Sequence, residues 1–293
     1  MKKILVTGYG GFIGSKLTDR LEKKYDVVGV SNVKNSIPSI TKIRKDIRKL
    51  SSNDVPKDIS HIIHLAALSD ISYCQENPSE CFDVNIRGTQ NLLEIARKIG
   101  SKFLFVSTSH VYGTPIKLPI NENHPKNPSS IYASSKLAGE IISGSYAKNY
   151  GIDVSIVRLF SVYGPNSPHH LVISRIVNQM RSSNEIKLGN LYPKRDFVFV
   201  DDVVSAIELV TKKSSGFEVF NIGSGTSFSI REICKILQQL SGKKITIRSA
   251  PSLKRKQEVR NVISDISKII KLGWSPQTPL RTGLQIALEK NKK

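Results

Sequence analysis

A cluster of glycines near the start of the chain is the sequence feature that most restricts its fold. The cluster follows the short apolar run Ile4-Leu5-Val6 and reads Thr7-Gly-Tyr-Gly-Gly-Phe-Ile-Gly14. An amphipathic stretch over residues 12–23, expected to be helical, overlaps its end. A glycine turn between a buried strand and a helix is typical of the first βαβ unit of a parallel sheet.

The same alternation of short apolar runs and longer amphipathic stretches continues along the first part of the chain. Further strands are predicted at residues 27–30, 59–65, 103–107 and 154–159, and helices at 79–99 and 132–150. The strands are continuous apolar runs, which is expected where helices cover both faces of a sheet. We therefore predict an α/β fold with a Rossmann-type, doubly wound parallel sheet.

The spacing of the glycines also indicates a ligand. Gly8, Gly11 and Gly14 allow a tight turn and let the backbone approach a pyrophosphate at the positive end of the following helix. An ordinary glycine turn is the alternative. The sequence therefore predicts a dinucleotide site at the amino-terminal end of the chain.

The end of the second predicted strand bears on which dinucleotide binds. After Val30, a site for NAD usually has an acidic residue that binds the ribose 2′-hydroxyl. This chain has Ser31, Asn32 and then Lys34 in that region, with no carboxylate. The arrangement favours the 2′-phosphate of NADP, and a neutral hydrogen bond from Asn32 to NAD is the alternative.

Two domains are expected because the pattern changes after Gly164. We predict a dinucleotide-binding domain over residues 1–163 and a smaller substrate-binding α/β domain over residues 164–293. The apolar run at 218–222 is expected to return to the first sheet as a strand.

Tyr132 and Lys136 form the pattern that points most directly to chemistry. They are four residues apart, so they lie on one face of the predicted helix. A phenol has an ordinary pKa of about 10, and we expect the nearby ammonium to lower it. Such a tyrosine can act as general acid and base between an alcohol and a ketone. Thr108, at the end of the strand over 103–107, can hydrogen-bond the same substrate oxygen.

The composition excludes several classes of protein. Of 293 residues, 39% are hydrophobic, which is enough for a sizeable core, and no apolar run is long enough to span a bilayer. The net charge is +20, from 44 Lys and Arg against 24 Asp and Glu. These basic residues are spread along the chain, which is typical of a solvated surface; a site for phosphorylated small molecules is the alternative, and nucleic acid is not expected.

Cysteine and histidine spacing bears on compartment and metals. Cys74, Cys81 and Cys234 form no CxxC pair, which indicates a reducing cytoplasm. His61 and His64 are three residues apart on a predicted strand, so they face opposite sides of the sheet. No metal site is expected.

Taken together, these motifs resemble those of the extended short-chain dehydrogenases/reductases of the NAD-dependent epimerase/dehydratase family, whose members modify nucleotide sugars. The matching segments are spread over essentially the whole chain. They are TGYGGFIG (7–14), KDI (45–47), HLAA (64–67), DVNIRGT (83–89), VSTSHVYG (106–113), YASSK (132–136), VRLF (157–160), RDFVFVDD (195–202) and LGW (272–274).

The resemblance implies roles for individual residues. Thr108, Tyr132 and Lys136 would be the catalytic set. The cofactor site would comprise Gly8, Gly11, Phe12, Ile13, Gly14, Ser31, Asn32, Lys34, Asp46, Ile47, Leu65, Ala66, Ala67, Asn85, Ser107, Tyr132, Lys136, Phe160 and Val162. Substrate contacts would come from Thr108, Ser109, His110, Ser161, Arg195, Arg255 and Glu258, with the two arginines on the diphosphate and Glu258 on the ribose.

Three departures from the family pattern bear on the reaction, and the first is the missing carboxylate after Val30 described above. Ser109 and His110 stand where the 4,6-dehydratases of the family have Asp-Glu after the catalytic threonine. Because of these two replacements, the acid pair that eliminates water is missing. In addition, Ser161 stands where most members have asparagine.

Several functions fit this set of residues. The segment 69–78 resembles dTDP-4-dehydrorhamnose reductases, and 188–197 resembles GDP-mannose dehydratases and GDP-4-keto-6-deoxymannose reductases. We therefore predict a reductase of NDP-4-keto-6-deoxy sugars, a cytoplasmic homodimer that uses NADP or NAD. A 4-epimerase of the UDP-glucose type is the alternative, and a non-catalytic dinucleotide-binding module is the alternative of another class.

Overall fold

The computed structural model describes residues 1–32, 40–250 and 258–290. Within these ranges the strands are β1 (Lys3–Thr7), β2 (Asp26–Ser31), β3 (Thr41–Arg44), β4 (Ile59–His64), β5 (Lys102–Thr108), β6 (Val154–Leu159), β7 (Ser161–Tyr163), β8 (Glu185–Leu188), β9 (Lys194–Arg195), β10 (Phe197–Phe199), β11 (Phe217–Ile222), β12 (Phe228–Ser229) and β13 (Thr246–Ser249). The α-helices are α1 (Phe12–Leu21), α2 (Ile71–Glu76), α3 (Pro78–Phe82), α4 (Gly88–Ile99), α5 (Ile131–Tyr150), α6 (Val172–Ser182), α7 (Val200–Lys213), α8 (Ile230–Ser241), α9 (Ser267–Leu272) and α10 (Leu280–Lys290). A π-helical turn (Asp83–Arg87) precedes α4, and a 3-10 turn (Ser109–Tyr112) follows β5.

The central sheet has seven strands in the order β11-β6-β5-β4-β1-β2-β3. The pairs β1–β2, β1–β4, β2–β3, β4–β5 and β5–β6 are all parallel. The chain runs outward from β1 to β3 and then crosses back to β4, so the switch point lies between β1 and β4. Ligands of open α/β sheets bind at the carboxyl ends of the strands beside such a point. The predicted Rossmann-type fold class is confirmed.

The predicted elements of this sheet occur with small changes at their ends. The helix predicted over 79–99 is interrupted, because the π-helical turn at Asp83–Arg87 separates α3 from α4. Strand β3 was not predicted, since its residues are mostly exposed at the sheet edge and carry no apolar run. The predicted strand at 218–222 occurs as β11, beside β6.

The described chain forms two compact units, each made of several segments. The first comprises Met1–Gly113, Lys126–Leu159 and Val204–Phe220. The second comprises Thr114–Pro125, Phe160–Val203 and Asn221–Lys293. The single boundary predicted after residue 163 differs from this division, because 114–125 belong to the second unit and 204–220 to the first.

The carboxylate of Asp196 organises the second unit. It is fully buried, and five donors from two other segments point at it. Ser224 donates from its backbone N and Oγ to Oδ1, at 2.6 and 2.7 Å. The backbone N of Gly225 donates to Oδ2 at 3.1 Å, and Ser264 donates there from its backbone N and Oγ, at 3.0 and 2.5 Å. A charged acceptor thus joins the segments around 196, 224 and 264.

Replacing this carboxylate by an amide tests its role. In Asp196→Asn an NH₂ group faces N–H and O–H donors, so buried donors lose their acceptor. We expect the free energy of unfolding, measured by urea denaturation, to fall by about 3 kcal/mol. Asp201→Asn, at an exposed carboxylate nearby in the chain, should cost less than about 1 kcal/mol. Equal losses in the two variants would contradict the assignment.

Candidate active site

The glycine turn after β1 has no room for side chains. Gly8 has a φ of +70°, and a Cβ there would lie 2.9 Å from the backbone N of Ala66. A Cβ on Gly14 would lie 2.1 Å from the carbonyl oxygen of Gly8. Gly11, with Phe12 and Ile13 after it, forms the start of α1. The turn therefore keeps backbone close to the positive end of a helix, which fits the diphosphate of a dinucleotide.

A buried chain of hydrogen bonds links this turn to the neighbouring strand. The Ala66 backbone N donates to Thr7 Oγ1 at 3.2 Å, and Thr7 Oγ1 lies 2.8 Å from His64 Nδ1. His64 Nε2 lies 3.1 Å from Thr89 Oγ1, whose hydroxyl donates to the carbonyl of Asn85 at 2.6 Å. Because Thr89 donates its hydroxyl proton to the Asn85 carbonyl, its oxygen can only accept from His64. His64 therefore donates from Nε2 and accepts from the Thr7 hydroxyl at Nδ1. Burial, and then the charge of Lys136, lower the pKa of His64 well below its ordinary value, so the ring is neutral.

Asn85, in the π-helical turn, fixes the loop after β4. Its side chain accepts from the Leu68 backbone N at 2.8 Å and donates to the Leu68 carbonyl at 2.9 Å. It also donates to Ser135 Oγ on α5 at 2.9 Å. The half-buried residues Leu65 and Ala67, predicted to line the cofactor, therefore lie on a loop held at both ends. Single-turn π-helices are frequent at functional sites.

The region predicted to hold the adenosine part of a dinucleotide is described in part. Ser31 ends β2 and Asn32 is exposed, whereas Lys34 lies outside the described residues. Asp46 accepts from the side chain of Arg48, which holds the pKa of that carboxyl below its ordinary value. Ile47 is buried against Gly88, where an added Cβ would meet its Cδ1 at 2.5 Å.

The predicted catalytic residues come from the end of β5 and the start of α5. Ser130 caps α5 by accepting from the backbone N of Ala133 at 3.2 Å, and Tyr132 and Lys136 follow on successive turns. Lys136 is 4% exposed, and its Nζ lies 4.2 Å from the centroid of the Phe105 ring. Thr108 is buried and accepts from the backbone N of His110 at 3.3 Å.

Burial dominates the electrostatics of this pair. It raises the pKa of Tyr132 to about 12, and hydrogen bonding with Thr108 opposes that shift. Burial also lowers the pKa of Lys136 to about 7, against the charge of Glu140. The expectation that Lys136 lowers the Tyr132 pKa below 10 is therefore wrong in this structure, because burial disfavours phenolate and ammonium alike.

Residues around Thr108 complete this part of the site. The ring of His110 meets the Tyr132 ring edge-on, with centroids 6.4 Å apart. Ser109 is half-buried, and the Ser107 hydroxyl donates to Glu140 Oε1 at 2.5 Å. Ser107 was predicted as a cofactor contact, but its hydroxyl proton is used inside the protein. Sequence reasoning missed Glu140, although its place four residues after Lys136 is a visible signal.

The predicted substrate residues of the second unit lie on adjoining segments. The Ser161 backbone N donates to the Asp196 carbonyl at 2.9 Å, and β7, which contains Val162, pairs in parallel with β10. Arg195 donates from Nη1 to the carbonyl of Val259, next to Glu258, at 2.8 Å. Phe160 is buried, and its backbone N donates to Ile222 at 2.9 Å. Arg255 lies outside the described residues.

The described ranges contain neither a candidate metal site nor a candidate membrane-spanning helix. No group of three or more His, Cys, Asp or Glu side chains there could hold a metal ion. No helix there combines the length and apolar character needed to cross a membrane.

Known proteins similar to this chain are enzymes of nucleotide-sugar metabolism. The family profile described as GDP-mannose 4,6 dehydratase matches residues 5–287. UDP-glucuronate 4-epimerase of Thermodesulfobacterium geofontis is 34% identical over 307 residues, covering 96% of this chain and 93% of that protein. The structure of UDP-glucuronic acid 4-epimerase from Bacillus cereus with UDP-glucuronic acid and NAD is 32% identical, covers 99% of both chains and has a TM-score of 0.92. UDP-glucose 4-epimerase of Thermotoga maritima with UDP-glucose is 31% identical, covers 98% of both chains and has a TM-score of 0.91.

The lowered pKa of Lys136 predicts how stability depends on pH. The folded chain releases this proton near pH 7, whereas the unfolded chain keeps it up to about 10.5. The unfolded state therefore binds more protons between these values, and the free energy of unfolding rises with pH by up to about 1.4 kcal/mol per unit. Lys136→Met removes this rise. Urea denaturation from pH 7 to 9.5 measures it, with Lys148→Met, at an exposed position of α5, as the control. Equal slopes in Lys136→Met and wild type would contradict the burial of a titrating ammonium.

Proposed function

We propose that this chain is a UDP-sugar 4-epimerase. It belongs to the extended short-chain dehydrogenase/reductase family of NAD-dependent nucleotide-sugar epimerases and dehydratases. The reaction inverts the hydroxyl-bearing carbon C4 of a sugar linked to UDP. The observation that carries the proposal is the similarity, over almost the whole chain, to 4-epimerases of UDP-glucose and UDP-glucuronic acid. Thr108, Tyr132 and Lys136 supply the residue types that C4 chemistry needs.

The reductase predicted from the sequence is less well supported than this alternative. That prediction rested on the missing carboxylate after Val30 and on the resemblance of the segments 69–78 and 188–197 to reductases. None of these features touches the chemistry at C4, since the first concerns the cofactor ribose and the others are likenesses between short segments. The family profile carries a dehydratase description, but Ser109 and His110 replace the acid pair of that reaction. Elimination of water is therefore not proposed.

The proposed roles of the catalytic residues follow from their chemistry. Bound NAD would supply a hydride acceptor for C4 and a positive charge beside Tyr132. The Tyr132 oxygen, as phenolate, takes the proton of the C4 hydroxyl and later returns it. Burial alone disfavours the phenolate, so the ammonium of Lys136 and the positive charge of bound NAD would together have to favour it. Thr108 donates a hydrogen bond to the same sugar oxygen.

Residues of the second unit are proposed to hold the UDP part of the substrate. Arg195 and Arg255 would bind the diphosphate, because guanidinium groups are permanently charged and can bind phosphate with two hydrogen bonds. Glu258 would accept from the ribose hydroxyls. Ser161 is proposed to orient the sugar. Phe160 and Val162, on the same segment, are proposed to border the nicotinamide.

We propose NAD as the cofactor. The B. cereus structure contains NAD, and an epimerase that returns the hydride it takes needs no reduced pool. The NADP preference expected from Ser31, Asn32 and Lys34 has no support from these neighbours. The homodimer and the cytoplasmic location stay predictions.

Activity on candidate sugars tests the proposed reaction. We expect interconversion of UDP-glucose with UDP-galactose, or of the two corresponding uronates, without added reductant. The denatured protein should release NAD. Tyr132→Phe should lower kcat by at least about 100-fold, the scale of acid–base catalysis, while NAD stays bound. Tyr150→Phe, at an exposed position of the same helix, is the control. Stoichiometric consumption of NADPH with a 4-keto-6-deoxy sugar, without epimerisation, would favour the reductase.

The close packing of the glycine turn predicts that a side chain added there weakens NAD binding. In Gly14→Ala the new Cβ collides with the Gly8 carbonyl, so the turn must open. We expect the Kd for NAD, measured by calorimetry, to rise by about tenfold or more, a loss of about 1.4 kcal/mol. Gly144→Ala, where the Cβ meets the Phe217 ring at 3.3 Å, should leave Kd unchanged.

A milder variant keeps this test decisive if Gly14→Ala does not fold. Gly11 has a φ of −76°, which alanine adopts, and its Cβ would lie 3.2 Å from the Gly8 carbonyl oxygen. Gly11→Ala should fold and still weaken NAD binding. Unchanged affinity in a folded variant of either glycine would place the dinucleotide elsewhere.

A further inference from the structure

A buried ion pair lies one helical turn beyond Lys136. Glu140 on α5 and Arg158 on β6 are 5% and 3% exposed. Arg158 Nη2 donates to Glu140 Oε2 at 2.7 Å, and its Nε lies 3.0 Å from Oε1. Such a pair is costly to desolvate, and apolar side chains of similar volume are often at least as stabilising. Stability alone therefore does not explain why this ion pair is present.

The pair is connected to both segments that carry the candidate site. Ser107, which precedes Thr108, donates to Glu140 Oε1 at 2.5 Å. Arg158 Nη1 donates to the Tyr112 hydroxyl at 2.8 Å, and its guanidinium carbon lies 4.9 Å from the centroid of that ring. The carboxylate of Glu140 is thus held in one place by donors from β5 and β6.

Lys136 and Glu140 are four residues apart, so they share a face of α5. This face packs tightly on β5, because a Cβ on Gly139 would lie 2.6 Å from Cζ of Phe105. The charge of Glu140 favours the ammonium of Lys136 against burial.

Two other titratable groups act on or respond to Lys136. Cys81 of α3 also favours the ammonium. His64 of β4 is neutral, and Lys136 helps to keep it so. Of the two groups that stabilise the ammonium, Glu140 contributes more than Cys81.

We propose that Glu140 is a positioning residue, whose carboxylate, fixed by Arg158 and Ser107, stabilises the ammonium form of Lys136. The effect on catalysis rests on the proposed function, because it acts through Lys136 on Tyr132. The electrostatic effect itself does not depend on the substrate. The two levels can therefore be tested separately.

The electrostatic level is tested by unfolding measurements from pH 6 to 10. The difference in stability between wild type and Lys136→Met gives the midpoint at which Lys136 loses its proton. The same difference between Glu140→Gln and Glu140→Gln/Lys136→Met gives that midpoint without the carboxylate. We expect the midpoint to fall by about 1 pH unit or more. An unchanged midpoint would overturn the proposal.

Glu94→Gln is a matched control for this comparison. Glu94 also bonds a tyrosine and an arginine, accepting from Tyr146 at 2.5 Å and from Arg97 at 2.9 Å. It does not act on the pKa of Lys136. The Lys136 midpoint should therefore stay unchanged in Glu94→Gln, and an equal fall there would overturn the assignment to Glu140.

A second background covers the case in which Glu140→Gln does not fold, since it leaves Arg158 buried without its carboxylate. Glu140→Gln/Arg158→Gln places two neutral amides in the same space. Adding Lys136→Met to it gives the midpoint again. The same fall is expected there, and an unchanged midpoint would again overturn the proposal.

The catalytic level is read from the pH profile of epimerisation. In Glu140→Gln, Lys136 should lose its proton at a lower pH. The alkaline limb of the kcat profile should therefore shift to lower pH, with KM little changed. A merely structural role would lower kcat at every pH without moving the limb, and this result would overturn the positioning role. If wild type epimerises no UDP-sugar, the proposed function fails, while the unfolding measurements still decide the role of Glu140.

Discussion

The burial of the Lys136 ammonium is the constraint on which the first unit depends. Removing an ammonium from water costs several kcal/mol unless neighbours compensate. The compensation comes from the face of the Phe105 ring and from Glu140 one turn away. The contact with Phe105 needs α5 to lie close to β5, and Gly139 permits that approach. The packing of this helix therefore serves an electrostatic need as well as the apolar core.

Burial, with a smaller contribution from the same charge, explains the neutral histidine nearby. A second cation beside Lys136 would add to the desolvation cost, so His64 is useful only as a neutral ring with one donor and one acceptor. In that state it carries the hydrogen-bond chain from Thr7 to Thr89. The chain ends at the Asn85 carbonyl, and the Asn85 side chain holds Leu68 and Ser135. The glycine turn, the loop after β4 and helix α5 are thus joined by groups of fixed protonation.

Sequence patterns predicted those features that depend on neighbours along the chain. Periodicity located nearly all strands of the central sheet, and the glycine and Tyr-Lys spacings located the turn and the helix face. Features that join distant residues were not predicted. Asp196 binds Ser264, which is 68 residues away, and Glu140 on α5 binds Arg158 on β6. The direction of the Tyr132 shift was also missed, because burial depends on the whole fold and spacing alone gives only the neighbouring charge.

The choice between reductase and epimerase shows where local motifs stop being informative. Both reactions move a hydride at C4 and a proton at the attached oxygen, so both need the same threonine, tyrosine and lysine. They differ in whether the ketone intermediate rotates to present its other face before the hydride returns, and in whether the cofactor leaves after each cycle. Rotation of the sugar depends on how loosely the hexose is held while the UDP is bound firmly. We propose that the second unit sets this balance, because Ser161 stands there where the resemblance leads us to expect asparagine. In the role proposed for Ser161, the shorter side chain leaves the sugar the freedom to rotate that an epimerase requires.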